Sequence, residues 1–158
     1  MAKKAKQQAA FENEFRKHIE RLTEPLVAAL RKIIKAKRPT IVKVLSFEMQ
    51  SDWRRFPVCV FALDEAEPDE VYFKPPFNGP LLSDAGALIP PGAIDQDAYE
   101  DAGVATFESG ARVLAEWFAE CWHTAGGAKF PIPAYIHLHD SSCYFDLRKR
   151  RWIWASDM

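Results

Sequence analysis

Apolar residues recur at every third or fourth position near the start of the chain, and the stripe is Phe11, Phe15, Ile19, Leu22, Leu26, Ala29 and Ile33. This spacing is typical of one face of an amphipathic helix. Pro25 lies inside the stripe without breaking its phase, so we expect either one kinked helix or a second helix that continues the first. Residues 1–8 are polar, and we expect them to be frayed.

Two segments after the helix predict a pair of strands. Residues 40–49 are rich in β-branched and aromatic residues, and one of their faces turns polar at Ser46 and Glu48. Residues 57–63 form a nearly continuous apolar run, which is typical of a central strand. A turn around Ser51 and Asp52 would join the two strands as an antiparallel pair.

The last third of the chain predicts a helix and a hairpin. A helical stripe begins near Thr106, and two glycines, Gly126 and Gly127, would end it. Residues 133–154 then alternate between apolar and polar on both sides of a turn at residues 140–142. In the first strand of this hairpin, Tyr135, His137 and His139 would share one face.

These elements favour an α+β fold, in which an antiparallel sheet of four to five strands packs against two long helices. The length of 158 residues and the absence of a fixed-period repeat indicate one domain over residues 1–158. Three cysteines at wide spacings favour reduced thiols over disulfides. No apolar run is long enough to cross a membrane, and the N-terminal lysines precede no signal-peptide core. We therefore expect a cytoplasmic protein.

Charge is strongly segregated although the net charge is only −1. Residues 1–38 contain eleven Lys or Arg against four Glu, whereas residues 64–108 contain eleven acids against Lys74 alone. Six of the eleven prolines also fall in residues 64–100. We expect this stretch to be a long acidic excursion, with a helical turn begun by a capping box at residues 97–100.

Two features indicate alternative chemistries. His137 and His139 lie two apart on a strand and could share a metal ion with Asp146 across the hairpin, as in a small metal-dependent hydrolase. The basic residues 148–151, followed by Trp152 and Trp154, could bind nucleic acid, although the acidic middle opposes this. No phosphate-binding or dinucleotide motif occurs, and no cofactor is expected.

The acidic stretch favours a different function, which is binding to a positively charged protein surface. Carboxylates speed association with such a partner, and interleaved aromatic side chains can anchor it. The expected partner-binding residues are Glu65, Glu67, Asp69, Glu70, Tyr72, Phe77, Asp95, Asp97, Tyr99, Glu100 and Asp101. We therefore favour a protein-binding inhibitor over an enzyme.

The order of elements resembles that of the small α+β immunity proteins encoded beside bacterial polymorphic and secretion-system toxins. The resemblance lies in the N-terminal helix, the two strands, the acidic aromatic loop, the tryptophan-rich helix and the closing hairpin with Phe145-Asp146-Leu147 before Arg151 and Trp152. It implies a bacterial cytosolic protein that binds a cognate toxin and covers its active site.

Overall fold

The structure, a computed structural model, describes residues 1–50, 54–65, 69–82 and 88–158. Within these ranges the chain forms the helices α1 (Ala2–Glu20), α2 (Thr23–Lys35), α3 (Gln96–Asp101) and α4 (Thr106–Thr124). Its strands are β1 (Val44–Met49), β2 (Val58–Leu63), β3 (Glu70–Tyr72), β4 (Gly79–Pro80), β5 (Ala134–Leu138), β6 (Cys143–Asp146) and β7 (Arg151–Trp154). Two short 3-10 turns follow α4 and β7, at Gly127–Lys129 and Ala155–Asp157.

The N-terminal stripe forms two helices rather than one kinked helix. Pro25 lies in the first turn of α2, where a missing N–H removes no intrahelical hydrogen bond. Helix α1 begins at Ala2. Most of residues 1–8, which we expected to be frayed, are therefore helical. Alanine, lysine and glutamine are good helix formers, which explains a helical start without an apolar stripe.

The sheet is mixed, with the strand order β3-β2-β1-β5-β6-β7, and β4 also pairs with β2. The α+β class is confirmed, but the expectation of a wholly antiparallel sheet of four to five strands is not. Strands β1 and β2 pair antiparallel as expected, whereas β1 and β5 pair parallel. Parallel neighbours require a crossover connection, and the long segment that contains α4 supplies it.

One sheet face packs against the helices and forms the main core. The ring of Phe47 on β1 lies 4.9 Å from that of Phe118 and 5.7 Å from that of Trp122, both on α4. Helix α4 joins α2 through a hydrogen bond from Trp117 Nε1 to Thr23 Oγ1 (3.0 Å). Helix α4 ends as expected, because Gly126 has a φ of +98°.

The described residues of the acidic excursion, which are 64–65, 69–82 and 88–100, do not form a purely solvated loop. They contribute β3 and β4 to the sheet, and their side chains Phe77, Leu88, Ile89 and Ile94 are buried in the main core. Helix α3 begins after Asp95, whose side chain accepts a hydrogen bond from the Ala98 N–H (3.1 Å). The cap is therefore two residues earlier than the predicted capping box. The expected turn at Ser51 and Asp52 lies outside the described residues.

Gly110 lies where α4 packs closely against α1 and the segment before β2. A Cβ atom at this position would lie 2.6 Å from the Phe56 ring and 3.0 Å from the Phe15 ring. Alanine in a helix is favoured over glycine by about 1 kcal/mol, whereas overpacking a core costs about 1–3 kcal/mol. We expect Gly110→Ala to lower the free energy of unfolding, as measured by urea denaturation.

The matched control is Glu116→Ala on the exposed side of the same helix. It tests helix propensity without the steric contact and should change the free energy of unfolding by less than about 0.5 kcal/mol. A Gly110→Ala variant more stable than the wild type would contradict the close packing of α1 and α4.

Candidate functional site

The side of the sheet opposite the main core, called here the open face, carries a group of polar and aromatic side chains. It is formed by the alternate residues of β1, β2, β5 and β6 that do not point into the main core. A second, smaller apolar cluster forms around Val44, Leu63 and Tyr135 on this face. Beside it lies an opening of about 160 Å³ whose lining includes Ser46, Glu48, Phe61, Glu70, His137 and Tyr144.

The register of β1 and β5 brings the polar groups together. Ser46 is paired with Tyr135, and Glu48 is paired with His137, so all four side chains lie on the open face. Across β6, His137 is paired with Tyr144, whose ring centroid lies 4.2 Å from that of the imidazole. The opening therefore has a carboxylate and a hydroxyl on one strand and stacked rings on the next two.

Ser46 and His137 form a buried hydrogen bond, with 2.7 Å between Oγ and Nε2. His137 Nδ1 lies 2.8 Å from the Leu138 carbonyl, which can only accept, so Nδ1 carries the proton. Nε2 of the neutral ring therefore accepts the Ser46 hydroxyl proton. Burial lowers the pKa of His137, and the Leu138 carbonyl and Glu48 only partly offset this. The imidazole is thus neutral at neutral pH.

The carboxylate of Glu48 is held in place through one of its two oxygens. Its Oε1 accepts hydrogen bonds from His139 Nδ1 (2.6 Å) and Gln50 Nε2 (2.9 Å). Its Oε2 lies 3.9 Å from His137 Nε2, too far for a hydrogen bond. The hydrogen bond that His139 donates to Glu48, together with the negative charge of Glu48, raises the pKa of His139. The side chain of Glu48 is only 18% exposed and lines the opening, and its two hydrogen bonds hold Oε1 in place.

The metal alternative was expected to use His137, His139 and Asp146. The two histidines do lie on one side and both approach Glu48. Asp146, however, is paired with Tyr135, and its Oδ1 accepts from the backbone N–H groups of Arg148 and Lys149 (2.9 Å each). Asp146 thus shapes the turn between β6 and β7. Across the described ranges, no three His, Cys, Asp or Glu side chains are grouped as metal ligands.

The aromatic residues expected to anchor a partner point inward instead. Phe77 is only 2% exposed and belongs to the main core, and the half-buried Tyr72 packs against it, with 6.1 Å between ring centroids. Tyr99 packs its ring on Phe11 and donates its hydroxyl hydrogen bond to Glu14 (2.6 Å). That hydrogen bond and burial raise the pKa of Tyr99 to about 12. In a proline-rich stretch, the sequence pattern does not show whether an aromatic side chain points into the core or into solvent.

The expected acidic residues divide into two groups. Asp95 caps α3, Asp97 forms an ion pair with Arg54 (2.5 Å), and Glu100 accepts a hydrogen bond from Thr106 (2.7 Å). These carboxylates are used within the molecule. The exposed remainder with no such contact in the described part of the chain comprises Glu65, Asp69, Glu70 and Asp101, and Glu67 lies outside that part.

Five residues of the opening were not expected as site residues, namely Ser46, Glu48, Phe61, Leu63 and Tyr144. The signal for the first two was present, because residues 40–49 have one face that turns polar at these positions. Their proximity to His137 depends on the parallel pairing of β1 with β5, which local patterns do not specify.

Comparisons with family models, with curated proteins and with solved structures find no match for this chain. None of the helices in the described ranges has both the length and the apolar character needed to cross a membrane. The function is therefore inferred from the geometry of the open face and its surroundings.

The pKa values of the two histidines should be shifted in opposite directions from the usual value for histidine. In the wild type, NMR titration of the ring signals should give a lowered pKa for His137 and a raised pKa for His139. Glu48→Gln should bring the pKa of His139 back towards the usual value, because the charge partner is lost. Since the folded-state pKa of His139 is raised, its contribution to stability is present at low pH and is lost as the pH rises through that pKa.

Glu70→Gln is the control for this titration, because Glu70 lines the same opening but does not contact His139. It should leave the pKa of His139 unchanged. An unchanged pKa of His139 in Glu48→Gln would contradict the proposed geometry of the Glu48 carboxylate.

Proposed function

We propose that this chain is a non-catalytic binding protein for a positively charged protein, of the toxin-neutralising kind and located in the cytoplasm. The observation that carries the proposal is the position of the carboxylates of Glu48 and Glu70 beside aromatic rings on the open face. No helix covers this face in the described residues. The three cysteines, Cys59, Cys121 and Cys143, form no disulfide, which is compatible with a reducing compartment.

The edge of the sheet beside the open face also carries carboxylates and an aromatic ring. Strand β3 is the last strand on its side, and in the described part of the chain no further strand covers it. Asp69 and Glu70 are exposed at this edge, and Phe73, just after β3, is 67% exposed. An exposed strand edge with carboxylates and one apolar ring suits the docking of a basic surface or segment.

The revised interface is smaller than the sequence suggested. It retains Glu65, Asp69 and Glu70, adds Glu48 and Phe73, and loses the acids that cap α3 or pair with Arg54. Carboxylates concentrated on one side of a domain raise the rate of encounter with a cation and lose this effect at high salt. A toxin that acts on a polyanion would present such a cationic surface.

Charge reversal at the β3 edge tests this function. We expect Asp69→Lys with Glu70→Lys to weaken binding of the cationic partner by about tenfold or more, because attraction becomes repulsion. The candidate partner is the product of the adjacent reading frame, and binding is measured by titration calorimetry at two salt concentrations. A co-expression assay would show whether complex formation also suppresses the toxicity of that product.

The control is Glu24→Lys with Glu116→Lys, which makes the same change of charge on exposed helix positions. It should preserve both the fold and the binding. An equally weak complex in both double variants would show only a general charge effect, and a complex unaffected by the β3 reversal would contradict the interface.

A second candidate function, acyl-group hydrolysis, is favoured by the hydrogen bond between Ser46 and the neutral His137. A hydroxyl that donates to an imidazole is the arrangement of a nucleophile and its base. Ser46 is only 4% exposed, however, so reagents have little access to its oxygen. If the binding function is correct, a fluorophosphonate probe should not label Ser46 above the level of a Ser46→Ala variant. Labelling that is lost in both Ser46→Ala and His137→Gln would support hydrolysis instead.

A further inference from the structure

We propose that the opening on the open face is a receptor for a guanidinium group, which an arginine side chain of the partner would insert. This inference rests on the proposed function and specifies the chemistry at its centre. It is carried by the combination of a fixed carboxylate oxygen, flat aromatic walls and a volume suited to one side-chain end.

The first step is charge. The lining of the opening includes the carboxylates of Glu48 and Glu70, and no lysine or arginine among the described residues contributes to it. His137 contributes no positive charge at neutral pH, because its ring is buried and its pKa is lowered. His139 contacts Glu48 from the exposed side, at Oε1. A cation that enters would therefore meet net negative charge.

The second step is the direction of the carboxylate. Two hydrogen bonds, from His139 and Gln50, hold Oε1 of Glu48 and thereby fix the plane of the group. Oε2 lies 3.9 Å from His137 Nε2 and accepts no hydrogen bond from the described residues, and both Glu48 and His137 line the opening. Because the side chain is largely buried, water screens this oxygen poorly. A charged donor would find an acceptor that is already oriented, which reduces the entropic cost of binding.

The third step is shape. Tyr144 lies over the His137 ring at 4.2 Å with an angle of 36° between the planes, and Phe61 adds a third ring to the lining. Guanidinium groups stack on aromatic faces while their edges donate hydrogen bonds to a carboxylate. An ammonium group is a compact, strongly hydrated charge that gains less from such walls. The opening of about 160 Å³ holds one side-chain end but no large ligand.

The test uses methylguanidinium as the probe, followed by NMR of the backbone and of the Tyr144 and His137 rings. We expect saturable shifts that are confined to the opening, with clearly weaker binding of methylammonium. Glu48→Gln should weaken methylguanidinium binding by about tenfold or more, because the charged acceptor is removed. The matched control, Glu116→Gln, removes one exposed carboxylate far along α4 and should bind like the wild type.

Tyr144→Leu provides a second variant in case Glu48→Gln perturbs the fold, and it should also weaken binding through the loss of stacking. The proposal is overturned if the shifts do not saturate, if they are spread over the exposed acids, or if both variants bind like the wild type. Equal binding of methylammonium would overturn the preference for arginine.

Failure of this proposal is distinguishable from failure of the proposed function. If the basic partner still binds through Asp69 and Glu70 while methylguanidinium does not enter the opening, only the receptor is wrong. If reversal at Asp69 and Glu70 leaves the partner bound, the β3-edge interface itself is wrong.

Discussion

The pairing of β1 with β5 is the constraint on which the rest of this molecule depends. Each strand gives one set of alternate residues to the main core and the other set to the open face. Because the two strands are parallel and in register, Glu48 is paired with His137. A shift of one residue would move Phe47 out of the core and Glu48 into it, so the core fixes the site. The site is thus a consequence of packing on the opposite side of the same strands.

Burial on the open face explains why its polar groups are so fully paired. Ser46 and His137 are almost inaccessible, and an unpaired buried polar atom costs about 1–3 kcal/mol. Each satisfies the other, and the Leu138 carbonyl satisfies the remaining ring nitrogen. Glu48 differs from them because only one of its oxygens is used in this way. The unused oxygen is what separates a binding site from a self-contained network.

Sequence patterns predicted the elements well where one chemical property repeats. The correct predictions are the stripe from Phe11 to Ile33, the pair β1 and β2, the start of α4 and the hairpin of β5 and β6.

The parallel contact of β1 with β5 was not predicted, because it joins residues about 90 positions apart and leaves no local signal. Residues 133–154 were predicted as a hairpin, whereas they form the three strands β5, β6 and β7. Asp146 was misjudged because alternation gives the face of a residue but not the turn that its carboxylate caps.

The acidic stretch shows why a charge count along the sequence does not translate into a surface. Its carboxylates are neighbours in sequence, yet the fold sends Asp95 and Asp97 to α3, where they cap a helix and pair with Arg54, and leaves Asp69 and Glu70 at the sheet edge. Buried residues between the two groups, such as Phe77 and Ile89, pack into the core. This packing separates the two groups of carboxylates. Only the second group borders the open face. The position of the proposed docking surface therefore depends on where the apolar residues anchor the excursion, and Glu48, which lines the opening, lies outside the acidic stretch altogether.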